Sequence, residues 1–304
     1  MDYLEDKKLL ELRFSNGMMI LPFVRYKLLC SKNQDNTSSS SRNPVSKPTI
    51  FFRLFSNLIR IRVKKKKLVF FSSTLFNVEV EGEKGIYYNS MDGYYYDLFP
   101  EDSLLIEDAD EEFKWRAKNS YKSMSFIRTY LLFLSFTLSR VFNKIKPIRR
   151  IDFDYIIKNY PELYTIEELG RLDYFHRIYY SLIKWVLKKT QCNLIAVNCG
   201  SYGETYAPLI KAAHDLGIKV IEMQHGAILQ SHLGYHADDF IVNHDEYATY
   251  LPDILYSFGD YWKQYIDWKY EIISVGSPHL NRYIKQYASE EVINDFLIIS
   301  QPSI

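Results

Sequence analysis

The sequence predicts an α/β fold in which a parallel sheet is flanked by helices. From residue 151 onward, short apolar runs with strand character alternate with helical segments, and glycine-containing turns separate them, which is the pattern of a doubly wound sheet. Composition agrees, because 47% hydrophobic and 25% charged residues over 304 positions are typical of a globular protein that can bury a large core.

Residues 1–150 are predicted to form an N-terminal α/β region with strands near Leu68 and Leu104. Residues 31–48 contain four consecutive serines and two prolines, which favours a flexible loop. A basic amphipathic helix is predicted over residues 51–60, ahead of the first strand.

Two stretches of this region are both basic and apolar. The first includes the lysines at positions 64–67, and the second runs over residues 118–150 with large apolar side chains near helical spacing. For the lysines we favour a solvated edge, with contact to anionic lipid as the alternative. For the second stretch we favour packing on a sheet, because buried helices are more common, and keep contact with a membrane surface as the alternative.

Residues 151–290 are predicted to continue the sheet and to carry the site loops. One long helix is expected over residues 165–189, where Thr165 would cap the N-terminus and Glu168, three positions later, would complete a capping box. The other elements expected in the rest of the chain are helices over residues 205–216, 260–266 and from Pro278, and strands over residues 193–197, 218–223, 240–242, 253–256, 271–275 and 296–299.

Charge, cysteine content and hydropathy argue against several functions. The formal net charge is +1, from 38 basic and 37 acidic side chains, whereas nucleic-acid-binding proteins usually carry a strong basic excess. Three cysteines are too few for a disulfide framework or a zinc site and fit a reducing cytoplasm. No run of about 18 apolar residues occurs, so no membrane span is predicted. We expect a cytoplasmic protein, with peripheral contact at the inner face of the membrane as an option.

In a parallel sheet, ligands bind beyond the carboxyl ends of the strands, so the residues that follow predicted strands form the candidate site. Six of the seven histidines lie between His214 and His279. His225 is the most informative, because it follows a strand and precedes Gly226, where a ligand could approach the chain closely. Imidazole accepts a proton near neutral pH, so His225 is either a general base or a histidine satisfied within a packed loop.

The turn at residues 200–203 follows another predicted strand. It has two glycines instead of the three of a dinucleotide fingerprint, and Glu204 stands where a helix N-terminus would receive a phosphate. We interpret this turn as an acceptor-binding or structural loop. His232 and His236 have a metal-ligand spacing, but Gly234 between them opposes a helix, and no metal site is predicted.

Residues 221–226, with the sequence Ile-Glu-Met-Gln-His-Gly, begin an ordered series of short motifs. The motifs that follow are Gly234-Tyr235, Pro252-Asp253, Phe258-Gly259-Asp260-Tyr261-Trp262, Val275-Gly276-Ser277-Pro278 and Ser300-Gln301-Pro302. The series belongs to a stretch of roughly residues 165–304 that resembles bacterial capsule and O-antigen glycosyltransferases and, more distantly, the CDP-glycerol glycerophosphotransferases.

The resemblance implies a two-domain fold of the GT-B type, of which this chain would hold the N-terminal, Rossmann-like half. Residues 291–304 would then be the first strand of a missing C-terminal domain, and the chain is expected to be truncated. The implied reaction moves a sugar, or alternatively a polyol phosphate, from a nucleotide-activated donor to a glycan or lipid-linked glycan acceptor in surface-polysaccharide synthesis. Beyond that donor, the resemblance implies neither a cofactor nor a metal.

Within the implied reaction, His225 is expected to act as the general base, with Glu222 or Glu204 orienting its ring. Helix starts near Ser277 and His279 would meet the diphosphate charge of the donor. The expected substrate contacts are Ser201, Tyr202, Gly203, Glu204, Glu222, Gln224, Gly226, His232, Tyr235, Ser277 and His279. Two other functions stay open: a non-catalytic glycan-binding or assembly protein, and a nucleotide-sugar epimerase of related fold.

Overall fold

The computed structural model describes residues 6–32, 47–58, 61–109, 123–230 and 232–287. The predicted α/β fold is confirmed, because seven parallel strands of the described chain form one sheet with helices packed against it. In chain order the strands are β1 (Leu68–Ser73), β2 (Asn77–Glu79), β3 (Tyr87–Asn89), β4 (Ser103–Asp108), β5 (Met124–Ser125), β6 (Leu194–Asn198), β7 (Lys219–Met223), β8 (Ile254–Ser257) and β9 (Glu271–Ser274). Strands β2 and β3 form a separate antiparallel pair.

The strand order of the sheet is β5-β4-β1-β6-β7-β8-β9. The chain moves outward from β1 to β4 and β5, then returns across the sheet and moves outward the other way from β6 to β9. The direction therefore reverses between β1 and β6, which pair in parallel with Phe70 beside Ala196. At such a reversal the two connections leave in opposite directions and open a crevice at the carboxyl ends of the strands.

The helices account for most of the remaining described residues. They are α1 (Leu21–Lys32), α2 (Lys47–Ser56), α3 (Gly93–Leu98), α4 (Ile127–Ile145), α5 (Ile151–Asn159), α6 (Ile166–Thr190), α7 (Tyr206–His214), α8 (Asp239–Val242), α9 (Asp245–Ala248) and α10 (Pro278–Tyr287). Among the described helices, none combines the length and hydropathy needed to cross a bilayer.

The long helix α6 begins with the predicted capping box. The Thr165 side-chain oxygen accepts a hydrogen bond from the Glu168 backbone N–H at 3.2 Å, and the Glu168 carboxylate accepts one from the Thr165 N–H at 2.8 Å. This reciprocal pair satisfies donors that would otherwise lack an intrahelical partner. The local sequence therefore fixes where α6 starts.

The sheet is buried on both faces, as parallel sheets usually are. On one face, Phe71 of β1 and Val197 of β6 belong to one buried cluster with Ile183 of α6 and Leu209 of α7. On the other face, Phe70, Leu105, Ala196 and Ile221 cluster with Tyr88 and Tyr96 from the segment between β1 and β4. Alternate residues of each strand thus serve opposite faces.

Residues 6–32 pack against segments that are distant in sequence. The Asp6 carboxylate, which is almost fully buried, accepts hydrogen bonds from the hydroxyls of Tyr155 and Tyr160. The backbone N–H of Ser15 donates to the buried carboxylate of Asp173 at 2.7 Å. These contacts tie the N-terminal segment to α5 and α6.

Three predictions of local structure are wrong in detail. Residues 240–242 lie in helix α8 rather than in a strand, because the N–H groups of Ile241 and Val242 donate to the carbonyl of Asp238 and close a helical turn. Both ends of the loop predicted at residues 31–48 are helical, since α1 continues to Lys32 and α2 begins at Lys47, and residues 33–46 lie outside the described residues. Pro48 lies in the first turn of α2, where its missing N–H costs no helical hydrogen bond.

The segment after β8 also differs from its prediction. Residues Asp260–Tyr265 form a 3₁₀ helix instead of the α-helix expected over residues 260–266. The strand predicted over residues 296–299, and the segment 291–304 that contains it, lie outside the described residues.

Candidate functional site

A pocket of about 240 Å³ opens at the carboxyl edge of the sheet, where β7, β8 and β9 end side by side. The segment between β1 and β4 completes its wall. The lining residues are Phe76, Ser90, Met91, Tyr95, Met223, Gln224, His225, Tyr256, Phe258, Val275, Gly276, Ser277, Pro278 and His279. The structure thus brings four of the residues singled out by the sequence into one pocket, namely Gln224, His225, Ser277 and His279.

His225 is half-buried in the wall of this pocket. Its Nε2 lies 3.3 Å from the hydroxyl oxygen of Tyr202 and 3.5 Å from Sγ of Cys199. Burial, with a smaller contribution from His232, lowers the pKa of His225 to about 4. The ring is therefore neutral at neutral pH and able to accept a proton, although it is a weak base.

Gln224 fixes the chain that carries His225. Its side-chain oxygen accepts hydrogen bonds from the Ser257 hydroxyl at 3.0 Å and from the Phe258 N–H at 2.7 Å, which joins the ends of β7 and β8. Its side-chain nitrogen donates to the carbonyl of Gly226 at 2.8 Å. A Cβ placed on Gly226 would meet no atom within 4 Å, so open space adjoins the backbone beside His225.

Glu222 supports the site from beneath and does not line the pocket. Its fully buried carboxylate accepts hydrogen bonds from the Ser201 N–H at 2.9 Å and from the Tyr235 hydroxyl at 3.0 Å. Burial raises the pKa of Glu222 to about 7 against the opposing effect of these hydrogen bonds. Ser201, Tyr235 and Glu222 thus form a buried triad that links the turn after β6 to the connection after β7.

The ring-orienting contact predicted from Glu222 or Glu204 is replaced by other side chains. Among the described contacts, those to the His225 ring come from Cys199 and Tyr202. Glu204 is exposed, and its backbone N–H donates to the carbonyl of Pro22 at 3.1 Å. The turn therefore contacts the His225 ring through the thiol of Cys199 and the phenol of Tyr202.

The backbone of this turn is conformationally strained. Cys199 has φ = 64° and Glu204 has φ = 47°, a left-handed region that residues with side chains seldom occupy. Gly203 between them has φ = 81°, and a Cβ there would collide with the carbonyl of Pro22 in α1. Gly203 is required for close packing on α1, and the thiol of Cys199 lies beside the ring of His225.

Tyr202 and His232 extend the cluster around His225. The Tyr202 hydroxyl lies 2.9 Å from Nε2 of His232, and burial lowers the pKa of His232. His236, four residues later, pairs instead with Asp267 at 3.0 Å. The two imidazoles thus face different partners, and within the described residues no group of three or more His, Cys, Asp or Glu side chains could hold a metal ion.

Ser277 and His279 lie at the start of α10. The Ser277 hydroxyl oxygen accepts a hydrogen bond from the Leu280 N–H at 3.3 Å and so caps the helix. Burial and the nearby Arg282 lower the pKa of His279. The first turn of α10 borders the pocket, where its N–H groups carry partial positive charge.

A polar pair at the strand reversal was missed by the sequence analysis. The Asn198 side chain, at the end of β6, donates to the carboxylate of Asp92 at 3.2 Å, and both residues are buried. Burial raises the pKa of Asp92 to about 6. The sequence does contain a signal for this region, namely polar residues directly after apolar runs. These residues are Ser72 and Ser73 after Phe71, and Asn198 after Val197.

These positions define a candidate site built from β6, β7, β8 and β9 and from the start of α10. Comparison of the chain with protein-family models, with curated proteins and with solved structures finds no match.

Proposed function

We propose that this protein transfers a sugar from a nucleotide-activated donor to the hydroxyl of a glycan or lipid-linked glycan, with His225 as the general base. The observation that carries the proposal is the position of His225, whose neutral ring lines a pocket at the carboxyl edge of a parallel sheet. Ligands of such folds bind at this edge. The similarity of residues 221–226 and the motifs after them to capsule and O-antigen glycosyltransferases supports the same reaction.

In the proposed reaction, the acceptor hydroxyl attacks the anomeric carbon of the donor sugar. A glycosidic bond forms at that carbon while its bond to the diphosphate oxygen breaks, and the nucleotide diphosphate leaves with the electron pair. The hydroxyl proton passes to the ring of His225. General-base assistance of this kind contributes roughly 10²–10⁴-fold to a rate.

The start of α10 is the proposed contact for the donor diphosphate. Ser277 and His279 line the same pocket as His225, and the first N–H groups of a helix attract anions. A negative charge held there would raise the pKa of His225 toward neutrality, because it favours the protonated imidazole. Donor binding would therefore make this ring a stronger base.

The low pKa of His225 also favours a second candidate function, the binding of a glycan without catalysis. A pKa of about 4 lies well below the best value for a base at neutral pH, whereas a neutral imidazole forms hydrogen bonds with sugar hydroxyls. Tyr95 and Tyr256 line the pocket with ring centroids 6.0 Å apart, and they offer apolar faces to a sugar ring.

Turnover by the full chain separates these functions. The protein is incubated with UDP-, GDP- and CDP-linked donors and with soluble or lipid-linked glycans, and the release of nucleotide diphosphate and the labelled product are measured. The variant His225→Ala is expected to lower kcat by about 10²–10⁴-fold. His236→Ala is the matched control, because it alters a histidine of the same connection whose ring pairs with Asp267.

The other possible outcomes of this experiment lead to different conclusions. Equal turnover by the wild type and His225→Ala would remove His225 from the mechanism. Glycan binding that depends on His225, without turnover of any donor, would indicate a binding protein. Isomerisation of a UDP-sugar in the absence of an acceptor would indicate an epimerase.

A further inference from the structure

From Phe133 onward, helix α4 exposes several large apolar side chains to solvent, while small polar side chains of the same helix are buried. Ser135, Ser139 and Asn143 are buried at intervals of four residues, which places them on one side of the helix. The exposed positions, each at least 40% accessible, are Phe133, Leu134, Phe136, Val141, Phe142 and Ile145. Ile127 and Leu131 in the first turns of α4 pack on the core, whereas the exposed apolar positions after them are unusual for a surface helix, which normally packs its apolar stripe on a core.

The polar stripe is used for close packing against α6. Asn143 donates to the carbonyl of Glu167 at 3.1 Å, and a Cβ on Gly170 would lie only 2.5 Å from the Asn143 side-chain oxygen. Ser135 and Ser139 donate to carbonyls of their own helix. Small and polar groups make this close contact with α6, while Phe136 and Phe142 add ring contacts to Phe175 and Tyr174 of α6 and keep at least 40% of their surface exposed.

Helix α2 extends the same apolar surface. Leu54 of α2 clusters with Phe126 just before α4, and the Tyr130 hydroxyl donates to the Leu54 carbonyl. On the outer side of α2, Phe52 and Phe55 are 70% and 65% exposed. Exposed aromatic side chains of α2 and α4 therefore lie on two helices that contact each other, and grouped exposed apolar side chains of this kind mark an interaction site.

Helix α4 and the segment directly after it carry only positive charges. Residues 126–151 contain six Lys or Arg side chains and no Asp or Glu. Beside α4, a pocket of about 580 Å³ is lined by four basic residues, Arg140, Lys144, Arg149 and Arg171, and by one acidic residue, Glu167. Within the part of the chain that the structure describes, no carboxylate lies at salt-bridge distance from any of these four cations. A basic pocket next to exposed aromatic rings has the chemistry that binds an anionic lipid headgroup.

The position of α4 relates this surface to the candidate site. The last residue of α6, Thr190, accepts a hydrogen bond from Lys66, just before β1, so α6 ends at the amino edge of the sheet. Tyr179, eleven residues earlier and so roughly 16 Å along the helix, lies near the carboxyl edge, since its hydroxyl accepts a hydrogen bond from Arg128, which pairs with Asp108 at the end of β4.

Arg128 belongs to the first turn of α4, and α4 runs antiparallel to α6, with Asn143 near the start of α6. Most of α4 therefore extends beyond the carboxyl edge of the sheet, which is the edge that carries His225. A planar partner on the exposed side of α4 would lie at the same end of the molecule as the candidate site.

We propose that the exposed faces of α2 and α4 dock on an anionic lipid bilayer. The aromatic side chains insert at the level of the headgroups, and Arg140, Lys144, Arg149 and Arg171 bind a lipid phosphate. Charge complementarity identifies the bilayer as the occupant, because a second copy of this chain would bring an equally positive surface to the contact. The docking does not depend on the proposed transfer reaction.

Co-sedimentation with vesicles tests this docking. The full chain is mixed with vesicles of phosphatidylcholine alone or of phosphatidylcholine with phosphatidylglycerol, at low and high ionic strength. The wild type is expected to bind the anionic vesicles and to lose binding as salt screens the charges. Binding of neither vesicle would overturn the proposal.

Two independent variants probe the apolar and the basic parts. The first variant combines Phe133→Ser with Ile145→Ser, and the second combines Arg140→Glu with Lys144→Glu. Each double variant should weaken binding to anionic vesicles at least about tenfold. Trp185→Ser with Lys188→Glu is the matched control, because it changes exposed apolar and basic residues near the other end of α6. All four altered positions of the test variants are exposed, and circular dichroism verifies folding.

Three outcomes contradict the proposal. Unchanged vesicle binding by either test variant would exclude its part of the surface. An equal loss in the control variant would make the effect non-specific. A wild-type dimer in solution that Phe133→Ser with Ile145→Ser dissociates would assign the surface to contact between copies of this chain.

Discussion

The hydroxyl oxygen of Tyr202 lies 3.3 Å from Nε2 of His225. The same oxygen lies 2.9 Å from Nε2 of His232, so one phenol joins two imidazoles of the connection after β7. A phenolic hydroxyl has a single hydrogen to donate. It can donate to only one of the two rings, and the other ring must donate to it. Tyr202 therefore couples the tautomer of His225 to that of His232.

Removal of this hydroxyl should impair the proposed transfer without unfolding the protein. Tyr202→Phe keeps the ring that packs on Gly234 but leaves His225 without the partner that orients it. We expect kcat to fall about tenfold, the value of one hydrogen bond of roughly 1.4 kcal/mol, and the pH profile of kcat to shift. Steady-state kinetics across pH measure both quantities.

A matched variant distinguishes positioning from a general loss of aromatic hydroxyls. Tyr261→Phe removes the hydroxyl of a tyrosine that is 60% exposed, and it should leave kcat and its pH profile unchanged. If Tyr202→Phe retained the wild-type pH profile, a positioning role for Tyr202 would be excluded.

Binding of an anion at the start of α10 should raise the pKa of His225. Burial holds this pKa at about 4 in the unliganded protein, and a diphosphate in the same pocket would stabilise the protonated ring. We expect an upward shift of about one pH unit or more with uridine diphosphate, followed by NMR titration of the His225 ring. His176, buried among Phe14, Phe23 and Phe175, serves as the internal control and should not shift. A pKa of His225 that stays constant or falls would place the anion elsewhere.

The parallel sheet and its longest helix could be predicted because their signals are local. Strands such as β6 and β7 are short apolar runs bounded by polar residues. The capping pair Thr165 and Glu168 indicates where α6 begins. The segment at residues 240–242 has the same apolar character but only three residues. Its conformation is decided by bonds to Asp238, which no periodicity reveals.

The supports of the candidate site could not be predicted, because strand order and long-range packing create them. Glu222 and His225 are near neighbours in sequence, yet the Glu222 carboxylate is buried beneath the turn at Ser201, whereas the His225 side chain lines the pocket. Asp92 meets Asn198 across 106 positions of sequence. Only the pairing of β1 with β6 brings those two residues together.

Three glycines of this region should respond differently to alanine. Gly203→Ala combines a positive φ with a collision against Pro22, and we expect it to lower the free energy of unfolding by about 3 kcal/mol or more. Gly217→Ala has a positive φ of 70° but open space around the new Cβ, and should cost about 1 kcal/mol. Gly226→Ala has neither problem and should fold with near wild-type stability.

Urea unfolding of the three variants measures these free energies. Comparable losses for Gly203→Ala and Gly217→Ala would mean that backbone conformation, and not the approach of α1, determines the requirement for glycine. Stability of Gly226→Ala together with reduced ligand binding would show that the open space beside His225 is part of the binding surface.

His176, which lies in α6 at 2% exposure, should contribute to the acid sensitivity of the fold. Both ring nitrogens lack a hydrogen-bond partner among the described residues, and burial lowers the pKa of His176 from 6.5 to about 3. Above pH 6.5 the ring is neutral in the folded and the unfolded chain, so it adds no pH dependence. Between pH 6.5 and 3 the unfolded chain takes up a proton that the folded chain does not, and stability falls as the pH is lowered.

His176→Phe should remove this loss, because phenylalanine has no titratable group and suits a pocket formed by Phe14, Phe23 and Phe175. At about pH 5 the variant should gain roughly 2 kcal/mol over the wild type relative to their difference at neutral pH. Thermal or urea unfolding at several pH values measures this gain, and His236→Ala, which alters a surface pair with Asp267, should retain the acid sensitivity of the wild type. Parallel stability curves for His176→Phe and the wild type would show that His176 is protonated in the folded protein, and thus that its surroundings admit a charge.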